Sequence, residues 1–115
     1  MNIDDFSFHD SKILEVKENT SKKTLDFLLD FPIDWENDVF ENRILRFIDV
    51  VFYLIDEIPI AGQPTILRVD NLGQIKKDLG TEYHPWEIKR NKVEFHTTAG
   101  KRIIEFSEFE LIKPN

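Results

Sequence analysis

His9, Asp10 and Ser11 stand in a row, and these are the residue types of a hydrolytic triad. A triad needs nucleophile, base and orienting acid to converge on one point, usually from separate stretches of chain. Three consecutive residues project in different directions and do not supply that convergence. Their simpler role is structural, with Asp10 and Ser11 bonding nearby backbone amides to fix the approach to the first strand. His84 and His96 have no partner at the close spacing of a zinc-ligand pair, and the chain has no cysteine. His84 precedes Pro85, where extended backbone is expected, and His96 falls on the polar face of a strand. Glycines at 62, 73, 80 and 100 are too scattered to cradle a phosphate. Paired acids such as Asp4/Asp5, Asp56/Glu57 and Glu108/Glu110 arise readily among 22 carboxylates, whereas glycoside hydrolysis needs two facing across a cleft. The expectation is a non-enzymatic domain with no cofactor and no metal.

Two aromatic clusters are better suited to recognition. Between residues 34 and 41, Trp35 and Phe40 are set among Asp34, Glu36, Asp38 and Glu41. An aromatic residue can fill a partner's pocket while the surrounding carboxylates steer a basic surface towards it. The opposing reading folds both rings onto the core and leaves the acids in water. The second cluster is Tyr83-His84-Pro85-Trp86, whose rings either line a pocket or cap the open end of a sheet.

Charge narrows the partner. With 22 acids against 15 bases, the formal charge is -7, which repels nucleic-acid backbones and anionic lipid. A basic protein is the partner such a surface favours, although acidity also serves solubility alone. The absence of cysteine fits a reducing compartment. The start Met1-Asn2-Ile3-Asp4-Asp5-Phe6 lacks the pattern of a signal peptide. The most apolar stretch, 44–60, is broken by Arg46, Asp49, Asp56, Glu57 and Pro59, so it is no bilayer span. A cytoplasmic location is expected.

The elements that must position these residues are mostly strands. Leu25, Phe27, Leu29 and Phe31 alternate with Thr24, Asp26, Leu28 and Asp30, the period of a half-buried strand. Pro32 should end it. An earlier strand over 12–17, with Leu14 and Val16 on one face and Ile13, Glu15 and Lys17 on the other, should pair with it as a hairpin through the polar turn 18–22. The apolar run 44–55 reads as a strand, continuous or kinked near Asp49, although Ile44, Phe47, Ile48, Val51 and Ile55 also fit a helical stripe. Pro59, Gly62 and Pro64 mark a loop, and a short strand over 66–69 should follow it. Asp70 as N-cap, Leu72, Ile75 and Leu79 on one face and Gly80 as the stop predict one short helix over 70–79. From Tyr83 onward the chain is strand-like again, turns at Gly100, and slips phase at Ser107-Glu108, where a bulge is expected. The whole reads as one mainly β domain of six to eight antiparallel strands, as a sandwich, small barrel or curved sheet.

Phe8-His9-Asp10-Ser11-Lys12-Ile13, followed by Leu25-Asp26-Phe27-Leu28-Leu29-Asp30, resembles the opening of small uncharacterised bacterial domains. In those, a His-Asp-Ser segment leads into a hairpin whose second strand alternates apolar and acidic residues. Some related groups are immunity proteins, which bind and neutralise a cognate toxin. The resemblance covers the N-terminal half and tapers off after Val51. It implies a β-rich fold and a protein partner, and it supplies no catalytic residue.

The first expectation is therefore a protein-binding domain, of the immunity type, that meets a basic toxin. A small-molecule site lined by Trp86, Tyr83 and Phe95 is the second. An enzyme using His9 or His84 as base is a third, and a homo-oligomer joined through unpaired strand edges a fourth.

Overall fold

The computed structural model describes residues 2–59 and 62–114, and its eight antiparallel strands form two four-stranded sheets. In chain order they are β1 (Lys12–Asn19), β2 (Thr24–Asp34), β3 (Val39–Ile48), β4 (Phe52–Glu57), β5 (Ile66–Asp78), β6 (Glu87–Thr97), β7 (Gly100–Phe106) and β8 (Glu108–Ile112). The first sheet has the order β1-β2-β3-β8 and the second β4-β7-β6-β5. A single 3-10 turn, Ile3–Asp5, precedes them. No helix among the described residues is long and apolar enough to cross a membrane.

The alternation in β2 builds the core. Leu25, Phe27 and Leu29 are buried, and the register sets Leu25 opposite Phe47 and Phe27 opposite Leu45. Val93, Phe95, Ile104 and Phe106 of the second sheet close over them. Ring centroids of Phe27 and Phe95 lie 5.3 Å apart, and those of Phe47 and Phe106 4.7 Å. Each such side chain removed from water contributes roughly 1.5–3 kcal/mol, so this aromatic seam is what joins the sheets. The fold is a sandwich.

Several boundaries differ from the sequence reading. The expected helix over 70–79 is the distal half of β5, paired with β6 from Asp70↔Glu94 to Asp78↔Glu87. A bulge at Asn71/Gly73 explains the misreading: Gly73 takes φ 82, Asn71 Oδ1 accepts its amide, and the extra residue breaks the period of two. Leu72 and Leu79 are exposed, so the apparent helical stripe faces no core. Pro32 does not end β2, which continues to Asp34. The β1 partner reaches only to Asp30, so Pro32 sits where β2 is flanked by β3 alone and an absent amide is tolerated. In β1 a bulge between Ile13 and Glu15 turns Ile13 into the core, against the expected division of faces. The loop expected at Pro59, Gly62 and Pro64 includes residues 60 and 61, which lie outside the described residues.

The run 44–55 is two strands in different sheets. The chain leaves β3 at Asp49, held at φ 54, and crosses to the second sheet before Phe52. It returns at Ser107, where a change of sheet replaces the expected bulge. The two crossings are bonded together: Val51 N donates to Glu105 O at 3.0 Å and Ser107 N to Ile48 O at 2.9 Å. Elsewhere the approach to β1 is stitched to the start of β5, with Asp10 N donating to Ile66 O and Ile66 N to Ser11 O. Backbone groups make that junction. The Ser11 hydroxyl, expected to bond a nearby amide, is buried without a partner.

Candidate functional site

The β2–β3 turn is shaped by Asp34. Its carboxylate accepts from the Asn37 side-chain amide at 2.7 Å and from the backbone amides of Glu36 and Asn37 at 3.1 and 3.2 Å. The Asn37 side-chain bond first, and then its backbone bond, hold the Asp34 carboxyl below the usual carboxylate range. Asp38 completes the turn at φ 54, a conformation that aspartate tolerates better than most residues.

This turn carries Trp35 out of the sheet but not into free water. The indole is 50 % exposed and stacks on His9, with ring centroids 5.7 Å apart and 18° between planes. His9 is itself fixed, with Nδ1 2.8 Å from the Leu67 carbonyl and Nε2 3.5 Å from Asp10. Asp34, Glu36 and Asp38 belong to the same turn, and Glu41 follows on β3, bonded to Arg43 at 3.0 Å. Phe40, half-buried opposite Pro32, stays at the base. The result is a supported aromatic face on a turn rich in acids. The sequence suggested Trp35 and its acids; the stack on His9 needed the β1–β5 junction to be known.

The second aromatic cluster lies at the other end of β5. Leu79 N donates to Trp86 O at 2.8 Å, whereas His9 touches Leu67, so roughly 35 Å of strand separates the two clusters. Tyr83 is 85 % exposed and Trp86 61 %, and His84 is exposed in a turn bonded to Thr81. These rings do not cap the sheet. Nor do they share a pocket with Phe95, which lies in the closed core.

The sequence reading missed a third arrangement. His96 Nε2 is 2.9 Å from Asp70 and 3.7 Å from Glu94, and one ligand atom from each of the three falls within 4.8 Å of the others. Glu94 and His96 alternate along β6, and Asp70 faces Glu94 across the ladder. Reading Asp70 as a helix cap hid this register. Divalent cations favour such mixed oxygen and imidazole donors. Here Arg68 lies 3.3 Å from Asp70 and Lys101 3.6 Å from Glu94, so each carboxylate already has a basic neighbour and the charge a cation needs is offset. The cluster is an ion-pair network.

A further ionic site faces inward. Arg102 donates to both oxygens of Glu57 at 2.9 and 2.7 Å and to the Tyr53 hydroxyl at 3.0 Å, while Thr97 Oγ1 donates to Glu57 at 2.7 Å. Burial alone would push the Glu57 carboxyl up, but the Arg102 and Thr97 bonds prevail and hold it below the usual range. Burial pushes the Tyr53 phenol up, with Arg102 partly opposing. With every member paired, the group stabilises the sandwich and offers no free base or nucleophile.

Compared with protein-family models, with curated proteins and with solved structures, the chain matches none of them.

Proposed function

We propose that this chain is a non-enzymatic protein-binding domain, an immunity-type inhibitor that engages a basic toxin in the bacterial cytoplasm. One observation carries the reading: Trp35 is half exposed, braced by His9, and flanked along the chain by Asp34, Glu36, Asp38 and Glu41. Large exposed aromatics are unfavourable in water, and interfaces gain most of their affinity from a few of them. The acids add long-range attraction, which raises the association rate and falls with salt. The three imidazoles favour binding over catalysis. His9 is stacked, His84 is exposed in a turn and His96 lies in an ion-pair network.

The test is calorimetric titration of the full chain with the basic protein encoded beside it, at low and high salt. Binding should weaken as salt rises, and Trp35→Ala should cost about 2–4 kcal/mol of affinity, the range of an interface anchor. Binding that ignores both salt and Trp35, or no binding at all, sinks the reading.

A further inference from the structure

Sheets have edges, and unpaired edges invite other strands unless something blocks them. Four edges occur here, on β1, β8, β4 and β5. The β1 edge has a bulge and the charges Lys12, Glu15, Lys17 and Glu18, and its start is bonded to the chain before β5. β5 has two bulges and carries Arg68, Asp70, Lys76 and Lys77. β8 is only five residues long, with Glu108 and Glu110. β4 is different. It pairs with β7 from Phe52↔Glu105 to Glu57↔Gly100 with no shift in register, contains no proline or glycine, and has its charges, Asp56 and Glu57, only at its C-terminal end. Phe52, Leu54 and Ile55 are exposed along it.

We propose that β4 is an interface between two copies of this chain, paired antiparallel with itself about a two-fold axis at Leu54. This goes beyond the binding reading and does not depend on it. Residues directly opposed across an antiparallel ladder lie on the same face, so the axis must fall on a residue. Tyr53 packs on Phe27 and Glu57 on Arg102, so Tyr53, Ile55 and Glu57 share the inner face and Phe52, Leu54 and Asp56 the outer one.

An axis at Leu54 sets leucine against leucine, Tyr53 against Ile55, and Phe52 against Asp56. The last pairing is the informative one. Lys77 Nζ lies 4.6 Å from the Phe52 ring centroid and donates to Glu105 at 2.6 Å, so the Asp56 carboxylate of the other copy would meet a lysine already paired on one side. Moving the axis to Ile55 would set Asp56 against Leu54 and Glu57 against Tyr53, losing that complementarity. The favoured register covers the exposed apolar residues and, by symmetry, shares each Lys77 between its own Glu105 and the other copy's Asp56. It joins the second sheets of both copies into one of eight strands.

Sedimentation of the full chain should give a dimer. Because each copy carries -7, association should strengthen with salt, opposite to the trend expected for a basic partner. The chain has no cysteine, so Leu54→Cys introduces one thiol, which at the axis would face its own copy. Under mild oxidation it should cross-link about tenfold faster than Ile58→Cys, an exposed control past the end of β4. Leu54→Lys should give a monomer with an unchanged circular dichroism spectrum. A wild-type monomer at every concentration and salt overturns the proposal. So does a dimer in which Leu54→Cys cross-links no faster than Ile58→Cys.

Discussion

Arg102 grips Glu57 through paired hydrogen bonds of 2.9 and 2.7 Å, with only 9 % and 7 % of the two side chains exposed. Removing either partner strands the other as a buried charge. Arg102→Met and Glu57→Leu should each cost about 3 kcal/mol in urea unfolding, because desolvation is no longer offset. The double variant should lose less than the two single losses added together. Additive losses would mean that the pair is not coupled.

The cluster of Glu57, Arg102 and Tyr53 gives a pH dependence with a definite sign. Glu57 titrates below its unfolded value, so its contribution is fully present above the unfolded pKa and is lost as pH falls through the folded one. Tyr53 titrates above its unfolded value, so its contribution is full below the unfolded pKa and is lost as pH rises through the folded one. Unfolding midpoints should therefore fall on both the acid and the alkaline side. Tyr53→Phe should flatten the alkaline limb and leave the acid limb in place. An alkaline limb unchanged by that substitution would assign it elsewhere.

Ser11 offers a stabilising change. Its hydroxyl is buried with no partner, and an unsatisfied buried hydroxyl costs on the order of 1–3 kcal/mol. Ser11→Ala should raise the unfolding free energy by about 1 kcal/mol, since the methyl group fits the same space. A loss of stability would show that the hydroxyl is engaged.

Two aromatic truncations should separate the site from the core. Trp35→Ala removes a half-exposed ring and should cost less than about 1 kcal/mol of stability. Phe27→Ala removes a fully buried ring touching Phe47, Tyr53 and Phe95, and should cost about 3–5 kcal/mol. Equal losses would mean that Trp35 is a structural residue and not an exposed anchor.

How far these features were legible depends on how local their causes are. The alternation from Leu25 to Phe31 announced β2 because successive side chains in a strand face opposite ways. The positive φ of Gly100 and the β1–β2 hairpin followed from similarly short-range rules. Wherever an extra residue enters a strand the rule fails, as at Ile13/Glu15 and Asn71/Gly73. Changes of sheet at Asp49 and Ser107 left a broken period in the sequence but no sign of where the chain goes next. Trp35 and its acids form a contiguous segment and could be read directly. The His9 stack and the Asp70–Glu94–His96 cluster rest on contacts between distant segments, which one sequence does not reveal.

The twin crossings at Ile48–Val51 and Glu105–Ser107 also bear on how the polypeptide matures. The first sheet borrows its last strand from the C-terminal half, and the second borrows β4 from the N-terminal half. Neither half holds a complete layer, so a nascent chain on the ribosome must wait for β8 before it can close. Long-range pairings of this kind slow folding, and the oily β4 is left bare in the interval.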